Sequence, residues 1–251
     1  MCRKADTEAS AEWEVEMNLE RLKQQRNDLN ICKLPISDKE LCDRYEKVTT
    51  PMVNDVLRED NYLYQTLPNT ILPLRDHMKV AGVAFTIKGS KNLDLKEEMM
   101  DRAVMLESIP ADSVCVWDTS GDDESAQWGE IMTMASKKRG CKGAVVDGGV
   151  RDTDRILEQD FPVFCKYRTS NGMLGRFRII GWQLPIMIGT VQIFPGDVIL
   201  ADIDGCIVVP RRMAYDVLVR AEQIRDNEVG IKQMITDGAT PRQVVENGGY
   251  F

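Results

Sequence analysis

Hydrophobic and polar positions along the chain switch between two spacings. Residues 8–30 are rich in Glu, Lys, Arg, Gln and Leu and contain no Gly or Pro. Trp13, Met17 and Leu22 mark a rough helical stripe, which predicts an N-terminal helix packed on the body or on a neighbouring subunit. Ser37 and Glu40 form a capping box for a helix ending near Lys47, and Thr49-Thr50-Pro51 starts another short helix. The β-branched, apolar run at 79–87 predicts a strand. A helix over 95–107, a buried strand over 112–118, a helix over 121–139 and a short strand over 143–147 follow. A helix from about 152 to 160 and a strand over 162–166 continue the alternation, which is the mark of an α/β fold. Short strands at 186–194, 197–202 and 206–210 are separated by Pro195-Gly196 and Asp204-Gly205, and helical spacing returns from Arg211 to about Asp237. There is no repeat, no low-complexity tract and no linker long enough to separate independent domains.

Composition narrows the function. The 251 residues are 43% hydrophobic and 29% charged, which is ordinary for a folded chain. With 32 Lys+Arg against 40 Asp+Glu, the net charge of −8 argues against a nucleic-acid partner, which needs a basic face. No stretch approaches the 18 or so apolar residues of a membrane span. The opening MCRKADTEAS lacks the apolar core of a secretory signal, so the expected location is the cytoplasm. Seven widely spaced cysteines contain no Cys-x-x-Cys pair and read as reduced thiols, with Cys115, Cys165 and Cys206 inside apolar runs. The single histidine, His77, lies in a polar lead-in to a strand and reads as a loop residue. Chemistry is therefore sought among carboxylates and arginines.

Three clusters stand out. In Asp147-Gly148-Gly149-Val150-Arg151-Asp152 an apolar strand ends, two glycines allow close backbone approach, and Arg151-Asp152 open a helix. Ligands of open α/β sheets sit beyond such strand ends. Arg151 offers a fork for a carboxylate, and Asp152 a hard oxygen for Mg²⁺ or Mn²⁺. The same residues also fit a tight Gly-Gly turn with an Asp helix cap and a surface Arg. In Trp128-Gly129-Glu130-Ile131, a glycine within a predicted helix costs about 1 kcal/mol and suggests close approach of a ligand or backbone. A solvated Glu beside a packing glycine is the other reading. Asp197, Asp202 and Asp204 lack the spacing of a calcium loop and read as turn residues accepting backbone N–H groups.

Residues 79–210 resemble the family of the regulator of ribonuclease activity A (RraA) and the class II 4-hydroxy-4-methyl-2-oxoglutarate aldolases. The likeness lies in Ala-Gly-Val-Ala-Phe-Thr (81–86), Trp-Gly-Glu (128–130), Gly-Ala-Val-Val-Asp-Gly-Gly-Val-Arg-Asp (143–152) and Pro-Val-Phe (162–164). Leu-Gly-Arg (174–176), Pro-Gly-Asp (195–197) and Asp-Gly-Cys-Ile-Val-Val-Pro (204–210) follow in family order, and Thr50–Asp55 resembles an early helix motif. Twenty positions separate Glu130 from Arg151-Asp152, as in the aldolases, although the best-known aldolases have Asp where Glu130 stands. The regulators tend to lose the aspartate that Asp152 matches, so its presence favours the catalytic branch.

The resemblance implies a layered α-β-β-α domain over 37–251, with a central β-sandwich or small barrel flanked by helices, and an N-terminal helical extension over 1–36. It implies a lyase that cleaves a C–C bond of a 4-hydroxy-2-oxo acid and releases pyruvate, with oxaloacetate decarboxylation as related chemistry. Asp152 would ligate Mg²⁺ or Mn²⁺ directly and Glu130 through water, and a metal-bound water near Glu130 would carry the proton. Arg151 would bind the keto oxygen, and backbone N–H groups of Gln127, Gly129 and Ile131 the pyruvyl carboxylate. Glu228, with Glu222 as second choice, would enter a neighbour's site in a homotrimer or homohexamer. Thr169–Gly172 and Arg176 would shape substrate choice. The alternatives are a non-catalytic regulator that binds a protein partner, and a sugar-acid dehydratase or decarboxylase.

Overall fold

The computed structural model describes residues 19–30 and 32–249. Trp13 and Met17 of the predicted N-terminal stripe lie outside the described residues. Helix α1 (Leu19–Asn30) leaves Leu22 exposed. Ser37 caps α2 (Asp38–Tyr45) by accepting the Glu40 N–H, but the Glu40 carboxylate turns to Arg44, so half of the expected capping box forms. Thr49 caps α3 (Thr50–Glu59), with proline in its first turn as expected.

A run of β–α–β units supplies the frame. Strand β1 (Leu72–Pro73) is followed by β2 (Val80–Lys91), α4 (Glu98–Glu107), β3 (Ser113–Asp118), β4 (Ala126–Trp128) and α5 (Glu130–Lys138). Then come β5 (Gly143–Val150), α6 (Thr153–Glu158) and β6 (Val163–Arg168). β2, β3, β5 and β6 pair in parallel in that order, so right-handed crossovers put α4, α5 and α6 on one face. The second half adds β7 (Phe177–Trp182), the hairpin of β8 (Ile186–Ile188) and β9 (Val191–Ile193), β10 (Val198–Asp202) and β11 (Gly205–Val209). Helices α7 (Ala214–Thr236) and α8 (Pro241–Glu246) close the chain. β10 pairs with the first residues of β2 and β7 with its last, on the same edge. The Leu67 N–H donates to Cys206 and the Val208 N–H to Gln65, while Leu72 and Pro73 pair with β6. One short segment thus bridges the two ends of the sheet and nearly closes it into a barrel.

Alternation along β10 builds two cores. Ile199 and Ala201 pack with the sheet interior, whereas Val198 and Leu200 pack under α2, α3 and α7 beside Leu41, Tyr45, Val53 and Leu218. Cys115, Cys165 and Cys206 are buried, and burial pushes the Cys165 thiol up to about 11. His77 is exposed in a turn. Asp202 accepts from the Thr50 N–H (2.9 Å) and hydroxyl (2.6 Å), and Asp197 from the N–H groups of Phe194 (2.8 Å) and Arg211 (2.9 Å). Both are backbone acceptors, as the sequence suggested.

Two departures from the sequence reading shape the site. Residues 121–139 are not one helix. Asp122 accepts from the Ser125 N–H (2.9 Å) and the Gln127 amide (2.6 Å), which turns the chain into β4 along the end of β5. Gly129 is therefore the N-cap of α5 and not an interior helix position. Nor do Gly148 and Gly149 make a turn, because they continue β5 to Val150. A Cβ on Gly148 would lie 2.4 Å from Gln127 Oε1 and 2.8 Å from Thr119 Cγ2. One on Gly149 would lie 2.4 Å from the Tyr167 ring and 2.6 Å from the Ser125 carbonyl.

Gly148→Ala is expected to destabilise the fold by about 1–3 kcal/mol, because Gln127 and Thr119 are fully buried and have no room to retreat. Urea unfolding checks this, and a loss below about 0.5 kcal/mol would contradict the packing argument. Burial pushes the Asp197 carboxyl up to about 6 from 3.8. A raised folded-state pKa contributes stability in full below the unfolded value and loses it as pH rises through the folded one. The stability of the wild type relative to Asp197→Asn should therefore fall between about pH 4 and pH 6.5. Parallel curves over that window would contradict it.

Candidate active site

A cavity of about 450 Å³ opens between α4, the start of α5, β4 and residues 172–174. Its polar end is Arg151 and Asp152, which follow β5 directly. The Arg151 N–H donates to the Trp128 carbonyl (3.0 Å), which ties the end of β5 to the end of β4. Asp152 takes a left-handed conformation (φ 53°, ψ 38°), and its carboxylate caps no N–H of α6. Aspartate tolerates that conformation, and six other non-glycine residues among those described share a positive φ, so it is the uncapped carboxylate that sets Asp152 apart. Asp152 Oδ2 instead lies 3.5 Å from Arg151 Nε, with both side chains about half exposed. The surface-Arg, helix-cap alternative thus fails on the cap.

Gly129 leaves room for this pair. A Cβ there would stand 2.9 Å from Asp152 Oδ2 and 3.3 Å from Arg151 Cγ, and one on Gly172 would stand 2.7 Å from an Arg151 guanidinium nitrogen. The absence of side chains at 129 and 172 leaves the groove in which Arg151 and Asp152 lie. With glycine at the N-cap, no side chain satisfies the first N–H groups of α5, and Gly129, Ile131 and Met132 all line the cavity. These N–H groups and the helix dipole favour an anion.

The remaining predicted residues separate into groups. Gln127 lines the cavity, but its amide is spent internally, donating to Asp122 and accepting from the Gly149 N–H at 3.0 Å. Ile131 is 70% exposed at the rim, and Met134 is exposed too. Glu130 occupies the first turn of α5, half-buried, between two lining residues without itself lining the cavity. Glu228 does not line it either and pairs with Lys232 on its own helix (2.8 Å). Glu222 is held by the Arg44 guanidinium at 2.5 and 2.9 Å. Thr169 and Ser170 line a shallower hollow on the other side of Arg151 and Asp152. Arg176 is exposed and donates to the Gly172 carbonyl (3.1 Å). Asp147 pairs with Lys166 at 2.5 Å, and its burial pushes its carboxyl up.

Sequence reasoning predicted the helix that is α4 but did not place it at the site. Arg102 lines the cavity and donates to Glu98 at 2.8 Å, one turn away on the same helix. Glu98 is 1% exposed and also faces Arg178 Nε at 3.8 Å. In the sequence this is a Glu-x-x-x-Arg pair, the ordinary pattern of a solvated helix surface. Only the burial of Glu98 distinguishes it.

Among the described residues, no three His, Cys, Asp or Glu side chains come together as a metal cage. Asp152 is the carboxylate that lines the polar end, and Glu130, in the first turn of α5, is the other acidic residue of this segment. Hard oxygen donors of that number suit Mg²⁺, which keeps most of its water and takes one or two carboxylates. Gly129 keeps the space beside Asp152 Oδ2 clear, so the residues present fit a hydrated divalent ion.

Comparison with known proteins shows the family. Protein DlpA of Legionella pneumophila is 32% identical over 181 residues, 72% of this chain, and the chain spans only 29% of that protein's length. A Halalkalibacterium halodurans protein with 4-hydroxy-4-methyl-2-oxoglutarate aldolase as its proposed name is 29% identical over 77% of this chain and 88% of its own. A solved structure described as one of novel cellulases from microbes associated with the gut ecosystem superposes with a TM-score of 0.81. It is 52% identical and covers 85% of this chain and 96% of that one. A family model, RraA-like: Aldolase/RraA, matches residues 40–208, and the chain belongs to that family.

Proposed function

We propose that the chain is a divalent-metal-dependent lyase that breaks the C3–C4 bond of a 4-hydroxy-2-oxo acid and releases pyruvate. The observation that carries this reading is the Arg151–Asp152 pair at the end of β5, its aspartate capping no N–H of α6, beside the uncapped start of α5. The N–H groups at the start of α5 hold the pyruvyl carboxylate. Arg151 directs its fork at the keto oxygen, where negative charge develops as the bond breaks. Asp152 and Glu130 hold Mg²⁺ or Mn²⁺. When bound, the ion polarises the keto group and makes the neighbouring carbon a better place to leave electrons. In this reading Glu130 takes the C4 hydroxyl proton and returns it to C3, which balances the cleavage. Decarboxylation of oxaloacetate would use the same groups.

A homotrimer or pair of trimers is part of this reading. Glu228 faces no site within its own chain, so its role requires a neighbour. Cleavage of cellulose, named for the 52%-identical structure, asks for a cleft that seats a glycan between two carboxyl groups. A cavity of about 450 Å³ with a guanidinium–carboxylate pair at one end fits a small oxo acid better.

Exchange of the pyruvate methyl protons in D₂O, followed by NMR with Mg²⁺ and with EDTA, tests the chemistry without knowledge of the full substrate. Metal-dependent exchange is expected. Asp152→Ala should abolish it while leaving the fold intact, and Arg151→Lys should slow it at least 100-fold, because an ammonium lacks the fork. No exchange with Mg²⁺ or Mn²⁺, or full exchange in Asp152→Ala, would overturn the assignment.

A further inference from the structure

Arg102 is the one charged residue that α4 contributes to the cavity lining, beside Met99, Ala103 and Leu106. Its surroundings set it apart from an ordinary helix-surface arginine. Glu98, one turn earlier, is 1% exposed and accepts from Arg102 Nη2 at 2.8 Å, while the Arg102 side chain is 17% exposed. The contact is single-pronged. Arg102 Nε and Glu98 Oε2 are both buried without a hydrogen-bond partner, and Arg102 Nη1 makes no hydrogen bond among the described residues. Unspent donors on a guanidinium so little exposed are costly to leave unmet. Nor does Glu98 cancel the local positive charge. It also faces Arg178 Nε at 3.8 Å, so one buried carboxylate stands between two guanidiniums. The other carboxylates that meet Arg178, Asp94 (3.5 Å) and Asp101 (3.2 Å), have side chains 57% and 38% exposed, where water screens them. Of this group only Arg102 lines the cavity.

We infer that Arg102, anchored by Glu98, is the specificity-determining residue of this site and receives an acidic group on the part of the substrate beyond the 2-oxo acid head. The inference rests on the proposed 2-oxo acid site at Arg151 and Asp152. In that reading the head is already provided for: its carboxylate has the N–H groups at the start of α5, and its keto oxygen has Arg151. Arg102, on a different element of the same cavity, is left for the rest of the molecule. Its unspent N–H groups form the planar edge that a carboxylate answers with two oxygens, and a hydroxyl or a methyl does not. The apolar residues around it on α4 would cover the carbon chain between the two ends. A site built around such donors rejects an analogue that lacks the acceptor, because the donors are then left unpaired.

The test is calorimetric titration of the full chain, in Mg²⁺ buffer, with 2-oxoglutarate, 2-oxohexanoate and pyruvate. The first two share the oxo-acid head and differ in a tail that ends in a carboxylate or in a methyl. The wild type is expected to bind 2-oxoglutarate at least about tenfold more tightly than 2-oxohexanoate. Arg102→Met keeps an unbranched side chain and loses the fork. It should bring that ratio to within about twofold of unity and leave the affinity for pyruvate nearly unchanged. If this variant strands Glu98 and fails to fold, the double variant Glu98→Gln, Arg102→Met leaves no buried carboxylate unpaired and supports the same comparison. An arginine that served the fold alone would, on removal, weaken all three acids alike. That outcome, equal affinities in the wild type, or a preference that survives the loss of Arg102 would overturn the inference. Pyruvate separates the two levels. A wild type that binds and exchanges pyruvate without preferring 2-oxoglutarate would sink the Arg102 assignment alone. A wild type that neither binds nor exchanges pyruvate would sink the 2-oxo acid reading, and this inference with it.

Discussion

The approach of β4 to the end of β5 is the constraint on which the site depends. At Gly129, Gly148 and Gly149 a single methyl would collide with Asp152, with Gln127 or with Tyr167. Two of these glycines set the packing: with them β5 runs on past Asp147 and β4 lies beside it. The third sets the chemistry: without a side chain at 129, Arg151 and Asp152 lie across the start of α5. None of the three has a positive φ, so the requirement is for space and not for backbone freedom. The same contact is reinforced by side chains that never reach the cavity. Gln127 is clamped between Asp122 and the Gly149 N–H, and the Tyr167 hydroxyl donates to the Ser125 carbonyl at 3.0 Å.

The strands carry a second layer of electrostatics beside the site. Lys88 pairs with Asp118 at 2.6 Å and Lys166 with Asp147 at 2.5 Å, across the carboxyl ends of four parallel strands. Both carboxylates are buried and both are answered by lysine, so this row is internally neutral. Asp152 differs in having only a long contact to Arg151 and substantial exposure. A carboxylate left under-partnered at a strand end, while its neighbours along the sheet are fully paired, is where a cation or a proton would be handled.

Much of this was legible in the sequence. Apolar runs located β2, β3, β6 and β10, and the Arg151-Asp152 dipeptide located the polar end of the cavity. The failures have physical causes. The helix predicted over 121–139 breaks because Asp122 uses its carboxylate to turn the chain, a choice of local partner that periodicity does not record. β7 was missed because Phe-Arg-Ile-Ile-Gly-Trp mixes a charged and a flexible residue into a strand that only β2 supports. α8 is six residues long and rests on its Thr240–Gln243 capping box more than on any apolar face. The charged wall of α4 stayed hidden because burial, not residue type, separates Glu98–Arg102 from a surface pair. Glu228 was placed by resemblance, and its own chain gives it only Lys232 as a partner.

The central claim is that Asp152, beside the open space at Gly129, holds a divalent ion to which a 2-oxo acid is then added. Mn²⁺ binding followed by electron paramagnetic resonance, with and without pyruvate, tests it directly. The account predicts one Mn²⁺ per chain, bound more tightly when pyruvate is present and lost in Asp152→Asn. Mn²⁺ that binds Asp152→Asn as well as the wild type, or that is indifferent to pyruvate, would contradict it.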